Sequence, residues 1–123
     1  MSDLNKVRGL GSANSGTEHF WMQRVTAIAN LPLVLFLIYF ILAHLGAPRT
    51  AVIASIKNPL CAVALCLAMV SILWHMCLGL QVVIEDYVHS EGSKLASLLV
   101  VNFATFVLGA LALYSILKMS FGP

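Results

Sequence analysis

The stretch LCAVALCLAMVSILWHMCLGLQVVI, residues 60–84, decides the fold of this chain because it holds no Asp, Glu, Lys or Arg over 25 consecutive residues. A helix needs about 20 apolar residues to cross the roughly 30 Å of hydrocarbon in a bilayer. Apolar side chains occupy both odd and even positions here, whereas a strand of a membrane β-barrel alternates apolar with polar residues. The stretch is therefore predicted to be a transmembrane helix.

Two further windows, residues 25–45 and 95–117, also lack charged residues and are long enough to span a bilayer. The chain is 60% hydrophobic and 10% charged, with a mean hydropathy of +0.94. This composition excludes a soluble domain of 123 residues. The predicted fold is all-α, with three transmembrane helices. These helices belong to a single membrane-anchor domain, residues 1–123. The domain begins with a polar N-terminal segment, residues 1–24, which is expected in the cytoplasm.

The distribution of basic residues predicts the orientation in the membrane. Four of them fall on the N-terminal side of the predicted spans and three on the opposite side: Lys6, Arg8, Arg24 and Lys94 against Arg49, Lys57 and Lys118. The excess is small, but the charges that precede the first span usually dominate. We expect the N-terminus in the cytoplasm and the C-terminus outside.

The two connections contain residues that interrupt helices. Gly46, Pro48, Asn58 and Pro59 predict an external turn between the first and second spans, and residues 85–94 predict an internal turn.

Two spans carry residues that affect helix shape and packing. Pro32 is expected to kink the first span because it removes a backbone hydrogen bond. In the third span, Asn102, Thr105 and Gly109 form a surface suited to close helix contact. The second span holds all three cysteines, which we interpret as packing residues.

His75 is the most informative residue for function because it lies deep inside the second span. An intramembrane histidine is a hydrogen-bonding residue between helices, a haem or metal ligand, or part of a proton path. At 100° per residue, Ser71, Gly79 and Asp86 lie within about 40° of its direction. Gly79 would leave space for a flat macrocycle, and Ser71 is expected to hydrogen-bond within its own helix or to the ligand.

The depth of His75 predicts that a second axial ligand to a shared iron comes from another polypeptide. His75 lies 15 residues past Leu60, which is about 22 Å from the external end of the helix. His44 lies at that external end, and His19 and His89 belong to the cytoplasmic surface. None of these three histidines is expected to reach the same iron.

Three residues mark the cytoplasmic interface. Arg24 opens the first span, where it is either a positive-inside flank residue or a partner for a carboxylate such as a haem propionate. Asp86 and Tyr87 close the second span at the same level. Tyr87 is either an aromatic-belt residue or a hydrogen-bond donor to a quinone carbonyl, with Asp86 in a supporting position.

These motifs resemble one family. The N-terminal GLGSANSGTEHFWMQRVTAIA, residues 9–29, together with His75, Gly79 and the Asp86-Tyr87 pair, is similar to the hydrophobic membrane anchor, or D, subunit of alphaproteobacterial succinate dehydrogenase. The resemblance covers nearly the whole chain. It implies an anchor subunit of respiratory complex II in the bacterial inner membrane, with a periplasmic C-terminus, that helps carry electrons from succinate to ubiquinone in the tricarboxylic acid cycle and respiratory chain.

The resemblance also implies roles for individual residues. His75 would be one axial ligand of the iron of haem b, and the companion C anchor subunit would supply the other. Arg24 would approach a haem propionate. Tyr87 would contribute to a ubiquinone site made jointly with the C anchor and the iron-sulfur subunit, with Asp86 beside it. Succinate would be oxidised on the flavoprotein subunit, so this chain is expected to have no activity of its own.

Some residues and alternatives stay open at this point. Ser15, His19 and Trp21 receive no task beyond packing under the iron-sulfur subunit, and His89 is interpreted as a surface residue. The alternative functions are a fumarate reductase anchor and a cofactor-free structural subunit of another membrane complex. A small transporter is disfavoured because few polar residues line the third span. The expected surroundings are lipid and protein subunits, with no nucleic acid.

Overall fold

A computed structural model describes the backbone of residues 10–123 and the side chains of residues 17, 18 and 20–123. This part of the chain contains helices and no strand. The four helices are α1 (Leu10–Ala43), α2 (Arg49–Ile56), α3 (Pro59–Tyr87) and α4 (Glu91–Phe121).

Three of these helices are long and apolar enough to cross a membrane. The candidate spans are Phe20–Ala43 within α1, all of α3 and all of α4. The prediction of an all-α fold with three transmembrane helices is confirmed. α1 begins well before the predicted first span and continues as one helix on both sides of Pro32.

The ends of α3 lie outside the uncharged window that predicted it. The Asn58 side chain accepts a hydrogen bond from the backbone N–H of Leu60 at 3.0 Å, and Pro59 occupies the first turn, as is common at helix starts. At the other end α3 continues to Tyr87. The α3–α4 connection is therefore residues 88–90 alone, shorter than the predicted turn over 85–94, because charged residues by themselves do not end a helix.

The connection between α1 and α3 contains a short helix and is more than a simple turn. Gly46 adopts a φ of 75°, which turns the chain after α1 and which glycine tolerates best. α2 follows, and its last residue, Ile56, is only 3% exposed. Ile56 belongs to the small buried core, which also contains Ala62, Leu65 and Ile116. This core joins α2, α3 and α4 at the end of the molecule that carries the α1–α2 connection, and Phe36, Leu37 and Phe40 of α1 pack against it.

α3 lies in the middle of the molecule. It packs against α1 on one side and α4 on the other, and among the described residues no Cα atom of α1 lies within 8 Å of one in α4. The three long helices therefore form a single layer. Large apolar side chains stay exposed on it, including Phe103 at 74% and Phe106 at 76%. In a bilayer these surfaces are available to lipid or to another membrane subunit.

α3 and α4 approach closely through small and polar residues. A Cβ added at Gly109 would lie 3.6 Å from Cδ1 of Leu73. Asn102 Oδ1 accepts a hydrogen bond from Gln81 Nε2 at 2.8 Å and another from Cys77 Sγ at 3.2 Å. Packing at Gly109 agrees with the sequence-based expectation. Cys77 does more than fill space, because its thiol bonds across the helix interface.

Candidate functional site

His75 lies where α1 and α3 pack together. Its Nδ1 is 2.9 Å from the hydroxyl oxygen of Thr26 on α1. Thr26 is 7% exposed and is the single buried polar residue in the part of the chain that the structure describes. Nε2 of His75 has no hydrogen-bond partner among the described residues. The imidazole is thus held through one nitrogen while the other stays available.

A cleft of about 370 Å³ opens between α1 and α3 beside this contact. His75 and Arg24 both line it, although they are far apart in the sequence. The Arg24 guanidinium carbon lies 4.9 Å from the centre of the Phe20 ring, a cation–π distance. Gln23 also lines the cleft, and its buried Oε1 has no partner among the described residues. The cleft therefore combines an apolar wall with a cation, an imidazole and an unsatisfied amide.

Ser71 and Gly79, two of the three residues predicted on the His75 side of the helix, have different surroundings. Ser71 Oγ donates to Asn30 Oδ1 on α1 at 2.7 Å. Its proton thus goes to a neighbouring helix, which the sequence did not predict. A Cβ at Gly79 would meet nothing within 4 Å, so the space beside this glycine is open. Gly79 retains the room that a flat ligand against the backbone requires.

Asp86 and Tyr87 form a second, separate position. Both are exposed in the last turn of α3, and Tyr87 is 77% exposed. Neither side chain has a hydrogen-bond partner among the described residues. Tyr87 is twelve residues beyond His75, roughly 18 Å along the helix axis. The chain supplies only one side of any pocket at this level.

The other histidines differ from His75. His44 uses both ring nitrogens, with Nδ1 2.7 Å from the carbonyl oxygen of Phe40 and Nε2 2.8 Å from Ser55 Oγ. It is therefore engaged in the external connection and not free to bind a metal ion. His89 is exposed, and the side chain of His19 lies outside the described residues.

Two residues of the N-terminal motif also remain without a task. Trp21 is 59% exposed and packs edge-on against the Phe20 ring, while the Ser15 side chain is outside the described part of the chain.

The described residues fit one axial position of a haem rather than a metal site built from this chain alone. They contain no group of three or more His, Cys, Asp or Glu side chains that could hold a metal ion. One imidazole with an unpartnered nitrogen, a cationic side chain in the same cleft and open space at Gly79 are compatible with a haem shared with a second subunit.

Sequence reasoning missed Thr26, Gln23 and Asn30. Each is a polar residue in the apolar first span or at its start. A polar residue in such a position could have been noted as a candidate for contacts between helices. Their partners could not be read from the sequence, because the contacts depend on how α1 is rotated against α3.

Comparison with known proteins gives a consistent result. A family model described as "Succinate dehydrogenase/Fumarate reductase transmembrane subunit" matches residues 2–109. The chain is 36% identical over 105 residues to the succinate dehydrogenase hydrophobic membrane anchor subunit of Rickettsia bellii, which covers 85% of this chain and 82% of that protein.

More distant relatives carry similar names. The protein of the same name from Paracoccus denitrificans is 29% identical over 116 residues, covering 94% of this chain and 89% of that one. The succinate dehydrogenase membrane anchor subunit of Reclinomonas americana is 29% identical over 91 residues, covering 72% and 76%. No solved structure matches the chain significantly.

Proposed function

Because the chain belongs to the family of succinate dehydrogenase and fumarate reductase transmembrane subunits, we propose that it is the hydrophobic membrane anchor of a succinate dehydrogenase. The family is the one predicted from the N-terminal motif and the His75 region. The names of the relatives favour succinate oxidation over fumarate reduction as the physiological direction. The partners in this proposal are the flavoprotein, iron-sulfur and C anchor subunits.

The first role is to hold haem b. His75 Nε2 would bind the haem iron from this chain, and the C anchor would supply a second iron ligand. The observation that carries this role is the free Nε2 of an imidazole whose Nδ1 is bonded to Thr26, in a cleft that Arg24 shares. The Arg24 guanidinium would pair with a propionate carboxylate, for which its planar fork of donors is suited. The bound haem supplies one-electron redox chemistry, while the chain holds and orients it.

The second role is to complete a ubiquinone site at the Tyr87 end of α3. The Tyr87 phenol donates a hydrogen bond to a quinone carbonyl and stabilises the negative charge that develops there during reduction. Asp86 supports this position from the same turn. Because Tyr87 is so exposed in the isolated chain, the remaining walls come from the C anchor and the iron-sulfur subunit.

The location follows from the same arrangement. Electrons from succinate arrive through the iron-sulfur subunit, so the Tyr87 end of α3 faces the cytoplasm. Lys94 follows this end of α3, and Arg24 lies on the N-terminal side of the first span in the sequence, a distribution that the positive-inside rule favours. The chain thus crosses the bacterial inner membrane three times, with its C-terminus in the periplasm.

Spectroscopy of the purified complex tests the haem role. His75→Ala is expected to abolish or alter the low-spin haem signal in visible and electron paramagnetic resonance spectra, because one axial ligand is lost. His89→Ala is the matched control, since His89 is exposed and without a partner in the described chain. A spectrum identical to the wild type in His75→Ala would mean that the iron is held elsewhere.

A cofactor-free structural subunit is the second candidate, and one observation favours it. The Thr26–His75 contact is itself a hydrogen bond between helices, which is a sufficient structural reason for a histidine inside a span. The visible spectrum of the purified wild-type complex separates the two functions, because only the first predicts a haem band.

A further inference from the structure

Thr26 stands out among the residues near the cleft because nothing in the proposed function requires it. It is buried, it lies on α1, and its hydroxyl reaches the imidazole of a residue 49 positions later in the sequence. The same hydroxyl oxygen is 2.8 Å from the carbonyl oxygen of Met22 and 3.1 Å from that of Gln23. One oxygen atom therefore contacts three polar atoms at once.

The proposed haem role assigns the protons in this contact. A neutral imidazole carries one proton, so a lone pair on Nε2 for iron places that proton on Nδ1. Nδ1–H then donates to the Thr26 oxygen, 2.9 Å away. A hydroxyl accepts through its lone pairs while it donates its own proton, and the nearest acceptor for the Thr26 proton is the carbonyl of Met22 in the same helix.

The local backbone keeps the Thr26 oxygen in place. A threonine inside a helix has a restricted first side-chain torsion, and one of its two favoured rotamers lets the hydroxyl bond to the carbonyl three or four residues earlier. The bonds to Met22 and Gln23 are of this kind. Thr26 thus presents a fixed acceptor to α3, whereas a free surface hydroxyl would rotate.

We infer that Thr26 is a positioning residue for the haem: it holds the proton of His75 on Nδ1, fixes the plane of the ring and leaves Nε2 to bind iron. This inference rests on the proposed haem role of His75. Histidine ligands commonly donate their second N–H to an acceptor, which sets the tautomer and makes the ligand a stronger base. Loss of such a partner typically lowers metal affinity or activity by about 10- to 100-fold.

The test compares Thr26→Val with Thr26→Ser in the whole purified complex. Valine keeps the branched shape and removes the hydroxyl, while serine keeps the hydroxyl and removes the methyl group. Thr26→Val is expected to release haem at least about tenfold more readily, to raise the haem midpoint potential and to shift the g-values of the low-spin signal. The potential rises because a weaker imidazole base stabilises ferric iron less. Thr26→Ser is expected to retain wild-type values.

Thr105→Val on α4 is the matched control, because Thr105 lies on the opposite side of α3. Wild-type g-values, potential and haem retention in Thr26→Val would overturn the inference. So would equal changes in Thr26→Val and Thr26→Ser, since the methyl group and not the hydroxyl would then matter. Failure of the proposed function itself is distinguishable, because His75→Ala would in that case leave the haem signal unchanged.

Discussion

At the scale of single residues, polar side chains inside apolar helices join α1 to α3 in two places. Thr26 bonds to His75, and Asn30 bonds to Ser71 one turn of helix away. In lipid, each such group has few alternative partners, so the pairs fix the rotation of one helix against the other. The rotation that they fix is the one that places His75 and Arg24 in a common cleft.

The Asn30–Ser71 pair is expected to stabilise the complex modestly. Ser71→Ala removes the donor and leaves the Asn30 carbonyl oxygen without it, so the free energy of unfolding should fall by about 1 kcal/mol, near the upper range for such bonds in membranes. Denaturant unfolding of the complex in detergent measures this. Replacing both residues, as Ser71→Ala with Asn30→Leu, should recover part of the loss, and no recovery would contradict the pairing.

Tyr87 gives a prediction about turnover. Tyr87→Phe removes the phenol proton, so ubiquinone reduction by the complex should fall by about 10-fold, the loss expected for one hydrogen bond of about 1.4 kcal/mol. Succinate oxidation with a soluble artificial acceptor should be unchanged. Tyr114→Phe, an exposed tyrosine at the other end of the bundle, is the control. Equal quinone rates in Tyr87→Phe and wild type would exclude the role.

The sequence predicted single residues only where one position carries the signal by itself. His75 is ionisable and deep in an apolar run, so its importance can be read without a structure. Thr26 and Gln23 are ordinary polar residues in the same sequence, and their importance comes from what lies opposite them on another helix. A one-dimensional pattern does not contain that pairing.

At the scale of helices, the sequence predicted the three spans and missed α2. Long uncharged windows identify membrane helices because lipid demands them. Residues 49–56 form a helix for a different reason: the chain packs Ile56 into a buried core with α3 and α4. That reason is tertiary, and the surrounding Gly and Pro residues favoured a turn.

Replacing glycine by leucine is expected to have different effects at Gly109 and at Gly79. In Gly109→Leu the new Cβ would already be in van der Waals contact with Cδ1 of Leu73 at 3.6 Å, so the rest of the leucine side chain has to displace Leu73. The complex should lose about 1–3 kcal/mol of stability through overpacking while its haem spectrum stays unchanged. Gly79→Leu has open space within this chain, so we expect little effect on stability but reduced haem content if the macrocycle lies there.

Unfolding and the haem-to-protein ratio of both glycine variants check this contrast. Normal haem content in Gly79→Leu would show that the ligand does not use this space. Loss of haem in Gly109→Leu at unchanged stability would contradict the assignment of the α3–α4 contact to packing.

At the scale of the whole molecule, the single layer of helices means that the chain buries little of itself. In the most apolar 18-residue window of each long helix, the share of residues buried within the chain is 6% for α1, 17% for α3 and 0% for α4. A haem held by His75 would have protein on one side only. The architecture therefore favours a subunit that completes its structure by packing against another membrane protein.

Removal of the C anchor subunit tests this dependence. Without it, this chain should still insert in the membrane but should bind no low-spin haem, because a single axial ligand remains. Membrane fractions from cells that lack the C anchor, measured by immunoblot and by reduced-minus-oxidised spectra, give the answer. A normal haem spectrum in such membranes would contradict sharing of the iron.

The separation of α1 from α4 by α3 has an evolutionary consequence. Substitutions in the two outer helices have no direct route by which to compensate one another. Among homologues, correlated changes should therefore link α3 with each neighbour and leave α1 and α4 statistically independent. The middle helix is thus the most constrained of the three, because a change in it has to suit both neighbours.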